Sequence, residues 1–289
     1  MSATVNIGSN TVPWLSVGAE IFAAQGEPIH LSPANGLVLA SYQELINQLS
    51  KNHDFTGMDC RGAWPEQKPP RANFNWADHA DDLITGLESK YTRPIIGMGH
   101  SMGATMTALA AVKRPELFSK IVLIDPATMP LEIICKAMAV LPQNLIFKLA
   151  PWIKRTHNRQ RVWSSPDAFY ENYRDHPTYR AFTDLSMRNY AHSGLRERKD
   201  KQFELVYSPT WEAFNFRKVH YLWGALAKIT VPTLLLRAEH SHLYSAAQFA
   251  KKCQKLPANV DSKTVPASGH LLTHESPEIL AEVILDWLA

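Results

Sequence analysis

Ile95-Ile96-Gly97-Met98-Gly99-His100-Ser101-Met102-Gly103 is the stretch that decides the fold of this 289-residue chain. The apolar run Pro94 to Met98 predicts a short buried strand, and Met102 to Lys113, rich in alanine and methionine, predicts the helix after it. Between them, Gly99 to Gly103 matches G-x-S-x-G. The pattern has a steric basis: a serine at the apex of a sharp strand-to-helix turn has a strained backbone, and small residues two before and two after let the chains pass. The start of the helix then offers free N–H groups to an oxyanion beside the serine. Ser101 is therefore the candidate nucleophile, against the alternative of a glycine-rich turn holding a buried serine. A dinucleotide-binding loop fits less well. Gly97 and Gly99 begin a G-x-G, but the third glycine should fall at 102, which is Met102, and the stretch lies far from the first strand–helix turn.

Outward from this turn, short apolar strands alternate with amphipathic helices, which argues for an α/β fold with a mostly parallel central sheet flanked by helices. Phe55 to Met58 reads as a strand ending at Asp59, Ile121 to Ile124 as a strand ending at Asp125-Pro126, and Thr233 to Arg237 and Ser262 to Val265 as the last two strands. Helices are expected over Ser41 to Leu49, Trp76 to Leu87, Ser245 to Lys255 and from Pro277 onward, where proline suits a first helical position. Glu20 to Ala24 and Ile29 to Ser32, on either side of Gly26, read as an early hairpin.

The alternation stops between about Leu131 and Leu226. That segment holds four of the eight tryptophans (Trp152, Trp163, Trp211 and Trp223), and short helices such as Ser165 to Tyr173 and Trp211 to Asn215 are its expected content. It is far longer than an ordinary loop. The organisation expected is a core domain of residues 1–129 and 227–289 with a helical cap inserted over 130–226.

Composition narrows the class. With 45% hydrophobic and 20% charged residues the chain reads as a soluble globular protein. A formal net charge of +3 is too small for a nucleic-acid footprint, and the densest basic stretch, Arg196 to Lys201, also carries Glu197 and Asp200. Cys60, Cys135 and Cys253 are odd in number and widely spaced, so neither a disulfide framework nor a metal site is expected. No run approaches the roughly 20 apolar residues of a membrane span, and Met1 to Asn10 lacks a signal-peptide pattern, so a cytoplasmic setting is the default expectation.

Taken together, these pieces resemble the α/β-hydrolase superfamily, with a cap, over nearly the whole chain. Asn35-Gly36-Leu37 after an early strand resembles the family's His-Gly loop, although Ser32-Pro33-Ala34 stands where a histidine is common. Asp59-Cys60-Arg61-Gly62 resembles its D-x-R-G turn, Val231 to Leu236 the strand before the usual acid, and Gly269-His270 its histidine loop. The resemblance implies that His270, after the last strand, is the base for Ser101. The acid departs from the family pattern: where an aspartate is usual, the chain reads Ala238-Glu239-His240-Ser241-His242. Asp125, one strand earlier, is the preferred orienting acid, as in members that place the acid there and a serine at the vacated position, which Ser241 fits; Glu239 is the alternative. The oxyanion donors implied are the backbone N–H groups of Met102 and Leu37.

A serine at the elbow disfavours epoxide hydrolase and haloalkane dehalogenase chemistry, which in this fold uses an aspartate. It implies acyl transfer through an acyl-enzyme with no cofactor and no metal. The expected substrate is a small-molecule carboxylic ester of small or medium acyl length; thioester, lactone or C–C bond hydrolysis and non-catalytic ligand binding are the alternatives. Met138, Leu141, Phe147, Trp152, Trp163, Phe169 and Tyr170 either line an apolar acyl site or pack the cap onto the core. The chain is expected to be a monomer or homodimer.

Overall fold

In a computed structural model, residues 3–17, 27–51 and 53–289 are described. The strands are β1 (Ala3–Ile7), β2 (Asn10–Val17), β3 (Ile29–Ser32), β4 (Phe55–Met58), β5 (Ile95–His100), β6 (Phe118–Ile124), β7 (Val162–Trp163), β8 (Leu195–Glu197), β9 (Phe203–Leu205), β10 (Thr233–Ala238) and β11 (Val260–Val265). Eight of them form one sheet in the order β1-β2-β4-β3-β5-β6-β10-β11. The pairs β1–β2 and β2–β4 are antiparallel; every pair from β4 to β11 is parallel.

The expected early hairpin is not made as read. Glu20 to Ala24 lies outside the described residues, and both edges of β3 are occupied by parallel neighbours, β4 and β5. The hairpin lies earlier, as β1–β2, turning at Gly8 with φ +59. Val5, Ile7, Val12 and Trp14 are its buried face, spaced every second residue as a half-buried strand requires.

Helices cover both faces of the sheet: α1 (Gln43–Leu49), α2 (Trp76–Lys90) and α3 (Met102–Lys113) precede the long segment between β6 and β10. The helix α2 starts where Asn75 accepts from the Ala77 N–H and Asp78 bonds back to the Asn75 N–H, a reciprocal cap. In α3 every residue from Met102 to Ala111 is buried, which is why its sequence is apolar all round rather than striped. Successive residues of β6 enter opposite cores: Ile121 and Leu123 face the α2–α3 side, Val122 and Ile124 the α1 side.

Between β6 and β10 lie α4 (Glu132–Val140), α5 (Gln143–Leu149), α6 (Pro151–His157), α7 (Pro166–Tyr173), α8 (Asp184–Ser193), α9 (Pro209–Arg217) and α10 (Leu222–Leu226). The segment also contains a three-stranded antiparallel sheet, β7-β9-β8, not anticipated from the sequence. Leu222 and Leu226 of α10 are fully buried in the α2–α3 core. After β10 come α11 (Ala246–Cys253), α12 (Leu272–Glu275) and α13 (Pro277–Leu288), with Leu280 and Ile284 of α13 buried against the α1 side.

Two consequences are measurable. A methyl group on Gly103 would stand 2.1 Å from the Ser32 carbonyl oxygen and 2.6 Å from that of Pro33, both backbone atoms. Gly103→Ala is expected to destabilise the fold by about 2 kcal/mol or more, lowering Tm by about 5 °C; an unchanged melting curve would contradict the close approach of β3 and α3. The second concerns His30, buried on β3 beside Trp14, where burial lowers its pKa to about 3. The unfolded chain takes up this proton near pH 6.5 and the folded chain only near pH 3, so acidification favours unfolding at this position. On acidification from pH 6.5 to 4 the wild type should lose stability relative to His30→Leu by about 1.4 kcal/mol per pH unit. Urea unfolding at several pH values measures this, and a gap independent of pH would mean the buried ring binds its proton normally.

Candidate active site

Ser101 is the single residue between β5 and α3, with φ 55° and ψ −114°, a conformation that a side-chain-bearing residue adopts only when its surroundings enforce it. The surroundings do so from β6: the Ser101 N–H donates to the Ile124 carbonyl at 2.9 Å, and its own carbonyl accepts from the Ala127 N–H at 3.0 Å. Gly99 is required because a Cβ there would lie 2.4 Å from the Gly103 carbonyl oxygen.

Asp125 follows β6 with φ 38° and is fully buried. Its Oδ1 accepts from the Ala238 N–H at 3.0 Å; its Oδ2 accepts from the Ser241 hydroxyl at 2.8 Å and lies 2.7 Å from Nδ1 of His270. A carboxylate only accepts, so His270 carries its proton on Nδ1. Nε2 then presents a lone pair, and the Ser101 hydroxyl, 2.9 Å away, donates to it. Ser101, His270, Asp125 and Ser241 thus form one hydrogen-bonded chain. Glu239 does not join it: its carboxylate accepts from the Ala267 N–H at 2.8 Å, bracing a residue with φ 49° at the entry to the histidine loop.

The far side of that loop is held by Glu275, whose carboxylate accepts from the N–H groups of Gly269 (2.5 Å) and Leu271 (3.2 Å). A Cβ on Gly269 would meet this carboxylate at 2.8 Å, which accounts for glycine before His270. His100 adds a third hold. Its Nε2–H donates to the His270 carbonyl at 2.9 Å, and its Nδ1 accepts from the Tyr42 hydroxyl at 2.8 Å. The Tyr42 oxygen in turn accepts from the Ala34 N–H at 2.9 Å. Burial keeps the His100 ring neutral, with its pKa lowered to about 3, as this pattern of one donor and one acceptor nitrogen requires.

The loop at 34–37 corrects one expectation. Gly36 has φ +87°, and the Leu37 N–H closes the turn onto the Ala34 carbonyl at 3.2 Å, so Leu37 is not a free donor. Among the N–H groups lining the site without a protein acceptor among the described residues are those of Asn35, Gly36 and Met102. The Asn35 side chain is fixed from three directions. It donates to the Glu212 carbonyl at 2.9 Å and accepts from the Tyr207 hydroxyl at 2.9 Å and from Asn215 at 3.0 Å. Neither this donor nor Glu275 and His100 was identified from the sequence. The Asn-Gly pair was the available signal, because a turn with glycine third engages the N–H of its fourth residue.

Above Ser101 and His270 opens a cavity of about 1090 Å³. Trp76, Met129, Trp152, Phe216, Val219 and Leu243 supply apolar walls. The His242 ring stands almost perpendicular to His270 at 5.0 Å, and burial, followed by the neighbouring His270, lowers its pKa. Of the seven aromatic and aliphatic residues considered for an acyl site, only Trp152 lines this cavity. Met138, Leu141 and Phe147 pack around Ile146 and Ile153, while Trp163, Phe169 and Tyr170 pack with the α1-side core.

Comparison with known proteins gives this geometry a context. The model of the alpha/beta hydrolase family matches residues 35–283. The chain is 24% identical over 257 residues to 2-(acetamidomethylene)succinate hydrolase of Mesorhizobium japonicum, covering 86% of this chain and 83% of that protein. It is 26% identical over 228 residues to the abhydrolase domain-containing protein ACTT2 of Alternaria alternata, covering 68% and 83%. The crystal structure of E-2-(acetamidomethylene)succinate hydrolase superposes with a TM-score of 0.82 at 24% identity, over 100% of this chain and 98% of that one. A thioesterase domain from the curacin biosynthetic pathway superposes with a TM-score of 0.76 at 14% identity, over 99% of each chain. With the family model spanning most of its length and the fold shared along all of it, the chain belongs to the alpha/beta hydrolase family.

Proposed function

We propose that this chain is a serine hydrolase that cleaves carboxylic esters of small or medium acyl length. The observation that carries the reading is the continuous relay from the Ser101 hydroxyl through His270 to Asp125, at the floor of a largely apolar cavity. In this reading Ser101 Oγ attacks the ester carbonyl carbon as its proton passes to Nε2 of His270. The oxyanion of the tetrahedral intermediate is held by the Asn35 and Met102 N–H groups, each such donor worth about 3 kcal/mol. Collapse expels the alcohol, which takes the proton from His270. Water, deprotonated by His270, then attacks the acyl-enzyme and releases the acid. Asp125 holds the tautomer and favours the imidazolium that forms in each half-reaction, while Ser241 fixes the carboxylate. Residues 130–226 act as the cap that roofs the cavity, with Trp152 and Phe216 as its apolar walls.

A second reading keeps the same relay and changes the bond. The relatives include a hydrolase named for an acetamido compound and a thioesterase domain, so an amide or thioester carbonyl is the alternative acyl donor.

Hydrolysis of p-nitrophenyl esters from acetate to laurate is expected in the wild type, with one preferred chain length. Ser101→Ala should lose roughly five orders of magnitude or more in kcat. A folded wild type inert toward every ester, yet active on an acyl thioester or amide, would replace the ester reading with the second one. Asp125→Asn should lower kcat by about 10⁴-fold, because the amide no longer enforces the Nδ1–H tautomer. Glu239→Gln, which touches the relay only through the Ala267 N–H, should stay within about ten-fold of wild type. The reverse ranking would reassign the acid.

A further inference from the structure

The helices α4 to α6 are unlike the rest of the surface. Seven of the nine exposed large apolar side chains among the described residues lie between Leu131 and Trp152. Val140 is 81% exposed, Ile133 67% and Leu149 66%. Each of the three helices buries one residue only: Cys135, Ile146 and Ile153. Seven exposed large apolar side chains within residues 131–152 are an unusual concentration on a monomer and call for a partner.

The charges around it identify the kind of partner. Between 131 and 158 the chain carries Lys136, Lys148, Lys154 and Arg155, all exposed, and one carboxylate, Glu132, which pairs with Lys136 at 2.8 Å. This short segment therefore carries a net +3, equal to the formal charge of the whole chain. Exposed leucine, isoleucine, valine and tryptophan interleaved with lysine is the composition of a helix face that lies in the boundary between lipid headgroups and acyl chains. A second copy of the chain fits less well, since a two-fold contact would set this basic face against itself, and lysine is depleted from interface cores. No helix among the described residues is long and apolar enough to cross a membrane, so the contact would be peripheral.

The face also leads inward. Trp152 is 42% exposed at its edge and lines the cavity above Ser101, its ring packed edge-on against Phe216 of the cavity wall at 4.7 Å. We infer that α4 to α6 dock on an anionic lipid surface, with Trp152 at the point where that surface meets the cavity mouth. The docking itself does not depend on which bond the site cleaves.

The test is flotation of full-length Ser101→Ala protein, which retains the face without turning over lipid, with vesicles of phosphatidylcholine alone or mixed with phosphatidylglycerol. Binding is expected only to the phosphatidylglycerol vesicles, weakening as salt is raised. The pair Val140→Asp and Leu149→Asp should weaken it roughly ten-fold or more. Leu185→Asp, at an exposed apolar position outside the face, should leave it unchanged and controls for general loss of surface hydrophobicity. No flotation with either vesicle overturns the inference, as does flotation that the Val140 and Leu149 substitutions do not weaken. Self-association by light scattering, abolished by those substitutions and unaccompanied by vesicle binding, would overturn it in favour of a second copy.

Discussion

The buried carboxylate of Asp125 is the point on which the site is assembled. It accepts from Ala238 at the end of β10, Ser241 in the loop after it and His270 in the loop after β11, while its own residue directly follows β6. These three strands are neighbours in the sheet, in the order β6-β10-β11. A charge with no solvent exposure is costly unless every lone pair is engaged, and here three donors converge from two loops and a strand end. The loops are therefore anchored to the sheet by the same group that sets the imidazole tautomer. Loss of any one donor would leave part of that charge unmatched, so geometry and stability are coupled at this position.

A second layer of support is made from groups kept neutral. His100 joins the His270 carbonyl to Tyr42, and Tyr42 joins the turn that carries Asn35. His274, its pKa also lowered to about 3 by burial, lies beside them. Its Nε2 meets the Ser41 hydroxyl at 3.0 Å, and that hydroxyl donates to the Val38 carbonyl at 2.7 Å. Each ring offers one donor and one acceptor, a combination that protonation would destroy. The serine, the histidine loop and the turn at 34–37 are thus held in mutual register by hydrogen bonds that add no charge beside Asp125.

The segment between β6 and β10 divides by the same logic of burial. Helix α9 faces inward: Trp211, Ala213, Phe214 and Asn215 are buried, and Asn215 and the Glu212 carbonyl hold Asn35. Helices α4 to α6 lie outside it, with most of their apolar residues in solvent. One part of the segment thus lines the cavity through Glu212 and Phe216, and the other carries most of its apolar side chains into solvent.

How much of this was readable follows from the range of the forces involved. The turn at Ser101 and the helix Met102 to Lys113 are local patterns, fixed by glycine sterics and by periodicity within a dozen residues, and both were visible in the chain. The meeting of Asp125 with His270 was only a preference at the level of sequence, drawn from the family resemblance: Ala238-Glu239-His240-Ser241-His242 lacks the usual aspartate and Ser241 fits the vacated position, but Glu239 stayed open until the fold placed Asp125 against His270. The strands β7, β8 and β9, of two or three residues each, carry no periodicity of their own and exist only through pairing with one another. The hairpin β1–β2 did have a signal, alternating valine, isoleucine and tryptophan around Gly8, that the polar composition of the first ten residues obscured. The sequence by itself determined where the candidate serine and histidine stand, at the turn after β5 and in the loop after β11, and left the candidate acid between Asp125 and Glu239. Tertiary structure alone decided that Asn35 rather than Leu37 has a free N–H, that Glu275 and His100 brace His270, and that α4 to α6 face solvent. Each of these depends on which backbone and side-chain groups find partners across the fold, and a linear pattern does not carry that information.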